Sequence, residues 1–148
     1  MKEYAAPLRD MRFVLRDSAT GGNAVSGTPT PIGPYSHIAR VGTWITIGGT
    51  AGFDPTTGAL AGADVGSQTR RILESFRVML ASVDSDLAHV LHVNIFMKDV
   101  AEFDAMNRAY VDVMGVLRPA RTVIGVADLP KAGARLTMNL TAVAREWP

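Results

Sequence analysis

Arg135-Leu136-Thr137-Met138-Asn139-Leu140-Thr141-Ala142 alternates polar and apolar side chains without a break, and Val143-Ala144 extends the run. Successive side chains of an extended chain point to opposite faces. Leu136, Met138, Leu140 and Ala142 therefore share one face, and Arg135, Thr137, Asn139 and Thr141 share the other. One face meets a core and the other is polar. A sheet built from such strands leaves its polar side to be covered, and a second subunit is the simplest cover.

The segments upstream supply the rest of the layer. Residues 122–127 read as another strand, and by the same alternation Arg121 and Val123 share a face. Phe103, Met106, Tyr110 and Val113 recur at helical spacing, with Gly115 placed to end that helix. Residues 90–98 read as a strand. Ile72, Phe76, Met79, Leu80 and Val83 mark the apolar face of a longer helix, whose other face carries Arg70, Arg71, Glu74 and Arg77. Asp64 or Ser67 is placed to cap its start. Residues 37–40 and 43–49 flank Val41-Gly42 as a hairpin, and Asp54-Pro55-Thr56-Thr57-Gly58 reads as a turn. The order β-β-α-β-α-β-β predicts an α+β fold, a mixed β-sheet with two helices on one face.

At 148 residues the chain fits one domain with a core of its own. Its 47% hydrophobic and 20% charged residues are too apolar for a disordered chain. With no cysteine, disulfides, zinc–thiolate sites, iron–sulfur clusters and a thiol nucleophile are excluded. A formal charge of +1 gives no strong field for a polyanion. Residues 1–32 read as an N-terminal extension and linker, and 33–148 as the main domain. Within the extension, Met11-Arg12-Phe13-Val14-Leu15 reads as a short strand or as an arm on a neighbouring subunit, and residues 18–32 as loop. The start of the sequence has no apolar leader, and no run of roughly 18 apolar residues occurs. A cytoplasmic protein with no membrane contact is expected.

Chemistry is sparse. His37, His89 and His92 lack metal-ligand spacing, so core or surface histidines are the default. Gly48-Gly49-Thr50-Ala51-Gly52 matches neither a phosphate loop nor a dinucleotide fingerprint; a glycine pair there marks a bulge or a close backbone approach. Arg121 opens a branched strand after Arg118-Pro119-Ala120. Its guanidinium is either a solvated strand end or a fork for a carboxylate or phosphate.

Several motifs taken together resemble a known family. They are Gly33-Pro34-Tyr35-Ser36; Ile45-Thr46-Ile47-Gly48-Gly49-Thr50; Phe96-Met97-Lys98-Asp99 with Phe103, Met106-Asn107 and Tyr110; and Arg118-Pro119-Ala120-Arg121-Thr122 followed by Leu129-Pro130-Lys131. Over residues 33–144, in order, the chain resembles the RidA (YjgF-type) reactive-intermediate deaminases, a family that also bears the older name L-PSP endoribonuclease. The resemblance implies a chorismate-mutase-like fold assembled as a homotrimer, a trimeric barrel with helices outside and ligand clefts between subunits. It implies hydrolysis of a 2-imino or enamino acid to a 2-keto acid and ammonia, with no cofactor and no metal.

By the same resemblance Arg121 grips the substrate carboxylate, Tyr35 closes the cleft, Asn107 lines it, and Gly48, Gly49 and Thr50 pass beside the ligand. Val123 stands where the family often has cysteine. Asn139 stands where the family has the glutamate that holds the attacking water. Asparagine can orient a water but cannot take its proton. That departure keeps two other readings in view: a pathway-specific deaminase of an aminomuconate type or a tautomerase, and a trimer that binds small molecules without turnover. RNA cleavage is disfavoured by the near-neutral charge and the lack of interleaved basic and aromatic residues.

Overall fold

The computed structural model describes residues 11–13 and 25–145. Six strands form one sheet: β1 (Met11–Phe13), β2 (Ile38–Val41), β3 (Trp44–Ala51), β4 (Val90–Met97), β5 (Ala120–Gly125) and β6 (Leu136–Val143). Their spatial order is β1-β2-β3-β6-β4-β5, antiparallel except for the parallel pair β4–β5. Two helices, α1 (Val65–Ala81) and α2 (Phe103–Met114), pack against one face. The α+β layer read from the sequence is the fold observed.

Alternation governs β6 as expected. Leu136, Met138, Leu140 and Ala142 are buried against the helices, and Thr137, Asn139 and Thr141 face the other way, half-buried. Ile45 and Ile47 of β3 and Val93, Ile95 and Met97 of β4 complete the apolar floor beneath Ile72, Phe76, Met79 and Leu80 of α1. On the opposite face Trp44 and Ile124 stay about half exposed (53% and 46%), among polar residues of β4 and β6. That face has no cover among the described residues.

Local signals explain the element ends. Gly42 turns the β2–β3 hairpin at φ +55°, and Gly115 ends α2 at φ +58°, where a side chain would be strained. Gly52 carries no Cβ because one would lie 2.8 Å from the Cα and carbonyl oxygen of Gln68, where α1 presses on the end of β3. Strand β5 begins and ends two residues earlier than the sequence suggests. Its parallel register with β4 runs from His92↔Ala120 to Met97↔Gly125. Beyond it the Asp128 carboxylate accepts from the Leu129 N–H and turns the chain away. In the extension, Met11–Phe13 pairs with β2, which selects the strand alternative; Val14, Leu15 and residues 18–24 lie outside the described residues. Residues 25–32 carry no helix or strand.

Asp64 is the cap of α1. Its carboxylate accepts from the Ser67 N–H at 2.8 Å and from the Ser67 hydroxyl at 2.7 Å. Those bonds, the hydroxyl's first, hold its carboxyl below the ordinary 3.8. A depressed folded-state value contributes stability above the ordinary value and loses it as pH falls through the folded one. Asp64→Ala is expected to lower Tm at neutral pH, and the gap to the native protein to close as pH drops below 3.8. Thermal melts across that range check it; a gap undiminished at pH about 2.5 removes Asp64 from the acid response.

Candidate functional site

Between the hairpin and the β5–β6 connection lies a cleft of about 500 Å³. Four residues expected at a ligand site line it: Tyr35, Gly48, Gly49 and Thr50. The two glycines form a bulge, since the β3–β6 register slips between Ile47 and Thr50. A Cβ on either would meet nothing closer than 3.6 Å, so the bulge and not crowding is their structural role. The Gly48 N–H is engaged by the His37 carbonyl at 2.8 Å. The Thr50 hydroxyl donates to the Gly48 carbonyl at 3.0 Å, and the Thr137 hydroxyl to the Thr50 carbonyl at 3.0 Å. These bonds fix the cleft floor. Ile32, Phe53, Leu129 and Pro130 make its walls apolar. Tyr35 is 39% exposed, and its oxygen accepts from the Ile32 N–H at 3.3 Å. Lys131 brings a cation to the rim, its Nζ 5.8 Å from the Phe53 ring centre.

His37 also lines this cleft, although the sequence alone places it among the structural histidines. It is 3% exposed, and neither ring nitrogen has a partner of hydrogen-bond geometry among the described residues. Burial lowers its pKa from the usual 6.5, opposed by the nearby Pro29 carbonyl. Its ring meets the Tyr35 ring edge-on at 6.0 Å.

Arg121 lies elsewhere. In β5 it pairs with Val93, so it sits on the helix-facing side of the sheet, in the edge strand. Its Cζ stands 4.9 Å from the Tyr110 ring centre and 5.8 Å from that of Phe103. Phe103, Asn107 and Tyr110 follow one another along one face of α2 at spacings of four and three. Arg121 and Asn107 thus belong to one edge of the molecule, with Val123 partly buried behind them. Burial raises the Tyr110 pKa, against the pull of Arg121 and Arg118. Arg118 bonds the Gly115 and Leu117 carbonyls; Arg121 makes no ion pair or hydrogen bond with any described residue.

Asn139 sits on the opposite, open face, paired with Asn94, whose side-chain N–H donates to its Oδ1 at 2.8 Å. One chain therefore gathers Tyr35, Gly48, Gly49 and Thr50 in the cleft and Arg121, Asn107 and Val123 at the β5–α2 edge, with Asn139 between strands in neither group. Among the described residues no three His, Asp or Glu side chains converge as a metal set, and no helix is long and apolar enough to cross a membrane.

A family model described as Endoribonuclease L-PSP matches residues 25–144. A RutC family protein of Pyrococcus abyssi is 37% identical over 103 residues, 70% of this chain and 81% of that protein. The human 2-iminobutanoate/2-iminopropanoate deaminase is 30% identical over 115 residues, 78% of this chain and 83% of that one. Among solved structures, RidA from the Antarctic bacterium Psychrobacter superimposes with a TM-score of 0.77 at 27% identity, covering 81% of this chain and 96% of its own. The YjgF gene product of E. coli gives 0.75 at 27%, covering 82% and 97%. The chain belongs to the endoribonuclease L-PSP family, the family of RidA and YjgF.

Proposed function

We propose that the protein hydrolyses a 2-imino or enamino acid to the 2-keto acid and ammonia, at a site that two copies of a homotrimer complete. One observation carries the reading: a half-buried guanidinium, laid against Tyr110 and Phe103, has no counter-ion among the described residues. A charge taken partly out of water without a partner is costly, and a bidentate carboxylate is the group that repays it. The names of the 30–31% identical mammalian deaminases support an imine as substrate.

Within one chain the cleft and the Arg121 edge are separate. Among the described residues edge strand β5 is unpaired on one side and the sheet face bearing Trp44 and Ile124 is uncovered, so both surfaces are available to a second copy. With Arg121 of one copy set at the cleft of the next, the carboxylate fixes the adjacent C=N over the Gly48 and Gly49 bulge. Asn107, between Phe103 and Tyr110 on the same face of α2, donates to the acid. Tyr35 shields the bound imine from bulk water. An iminium is electrophilic, so fixing it against a positioned water supplies much of the acceleration.

The test is ammonia and 2-keto acid release from imines generated in situ by an amino-acid oxidase. Turnover above the buffer rate, with several side chains compared, is expected. No rate with any of them overturns the deaminase reading, and stabilisation by 2-keto acids without turnover would establish the binding-only alternative.

A further inference from the structure

We infer that the apolar walls of the cleft form the pocket for the substrate's side chain, that Ile32 and Phe53 close its far end, and that the protein therefore selects 2-imino acids with a bulky apolar side chain. The inference rests on the deaminase reading above and adds the substrate class and the residues that choose it.

Ile32, Phe53, Leu129, Pro130 and Ala134 line the cleft together with the Gly48 and Gly49 bulge. A second copy adds groups to this site and takes none of these side chains away. With the carboxylate held by Arg121 of that copy and the C=N over the bulge, the third substituent of the imine carbon is left to this chain's walls. Apolar surface gains by leaving water against such walls, and a polar side chain gives up its hydration there.

Both walls are fixed by the backbone. The Phe53 N–H donates to the Ala51 carbonyl at 2.9 Å, the Ala61 N–H to the Gly52 carbonyl at 2.9 Å, and the Asp54 N–H to the Ala59 carbonyl at 2.8 Å. Phe53 also forms a β-bridge with Leu60. Gly52, next to it, presses on Gln68, and the Gln68 side chain grips the Gly133 carbonyl and the Arg135 N–H of the β5–β6 connection, the other wall. One helix residue thus ties the two walls together. Walls set before binding discriminate side chains by size, because movement does not relieve a poor fit.

Phe53 and Ile32 belong to two cavities. They also line a smaller hollow of about 250 Å³, together with Pro31, Asp54, Pro55 and Gly58. The phenyl ring and the isoleucine side chain are therefore the partition between cleft and hollow. Phe53 is half-buried and lies outside the core cluster, so exchanging it leaves that core filled.

Imines generated in situ from alanine, leucine, phenylalanine and 2-aminooctanoate read the pocket. The wild type should give kcat/KM about 10-fold or more higher for the leucine and phenylalanine imines than for the alanine imine. Phe53→Ala opens the cleft into the hollow and should raise the ratio of the 2-aminooctanoate imine to the leucine imine about 10-fold. Phe53→Trp narrows the pocket and should lower the phenylalanine-to-alanine ratio. A wild type that prefers the alanine imine, or ratios unmoved in both variants, overturns the proposal and leaves the deaminase reading standing. Should Phe53→Ala fail to fold, Phe53→Leu is expected to shift the same ratio in the same direction by less, and an unmoved ratio overturns the partition. Calorimetry with 2-keto acids reads the pocket without turnover: phenylpyruvate and 4-methyl-2-oxopentanoate should bind about 10-fold or more tightly than pyruvate. An inactive wild type with that order of affinities overturns the deaminase reading alone. Equal affinities, or tightest binding of 2-oxoglutarate, whose distal carboxylate Lys131 at the rim would take, overturn the apolar pocket.

Discussion

Arg121→Ala should lower kcat/KM for imine hydrolysis by about 10²–10³-fold, the loss expected when one partner of a desolvated charge pair is removed. The fold should survive. The guanidinium lies on the outer edge strand, bonded to no described residue, so its removal forfeits only stacking on Tyr110 and Phe103 and relieves an unpaired charge. Arg121→Lys keeps the charge but not the planar fork and should recover a fraction of the rate. Lys131→Ala is the control, because Lys131 is the cation of the cleft in the same chain. If the carboxylate docks within one protomer, Lys131→Ala costs more than Arg121→Ala. If the clamp comes from a second copy, the order is reversed. Steady-state kinetics on purified variants decide, and an Arg121→Ala enzyme within twofold of wild type by such kinetics (about 0.4 kcal/mol) removes the clamp.

The second large effect is on stability. Gln68 is 0% exposed on α1, and its side chain serves three loop groups. Its Nε2 donates to the Gly62 carbonyl at 2.9 Å and the Gly133 carbonyl at 3.0 Å. Its Oε1 accepts from the Arg135 N–H at 2.7 Å. Gln68→Ala strands these groups away from water and should cost about 2–5 kcal/mol, or very roughly 10 °C in Tm. Gln68→Leu separates the causes: it refills the space, so a Tm restored by leucine would mean the loss was a cavity and not hydrogen bonds. Gly133 and Arg135 belong to the β5–β6 connection, whose residues 129–131 and Ala134 line the cleft. The same substitution should therefore weaken 2-keto acid binding.

What the sequence disclosed depended on whether a signal was local. The period of β6, the apolar stripe of α1 and the Gly115 stop are local, and each is legible. Gln68 is legible in principle. It precedes Ile72 and Phe76 by four and eight residues, so an uncharged polar side chain falls on the buried face of the helix and needs partners there. The insertion of β6 between β3 and β4 is not legible, because strand order is set by contacts distant in sequence. Nor is the division of the candidate site between cleft and edge. The motifs that carry Tyr35, Asn107 and Arg121 name the residues but not the faces they occupy. His37 escapes notice because a lone histidine beside a strand has no periodicity to mark it; only the folded chain places it among the residues that line the cleft.

The pairing of Met11–Phe13 with β2 has a practical corollary for anyone trimming the chain. Those three residues satisfy one side of β2, a strand whose other side is taken by β3. Cutting the chain at Gly33 as though everything before it were dispensable would bare that row of amides and carbonyls, the kind of open rim that invites self-association. It would also delete Pro29 and Ile32 from the wall of the cleft, so a shortened protein would be a poor stand-in for the full chain.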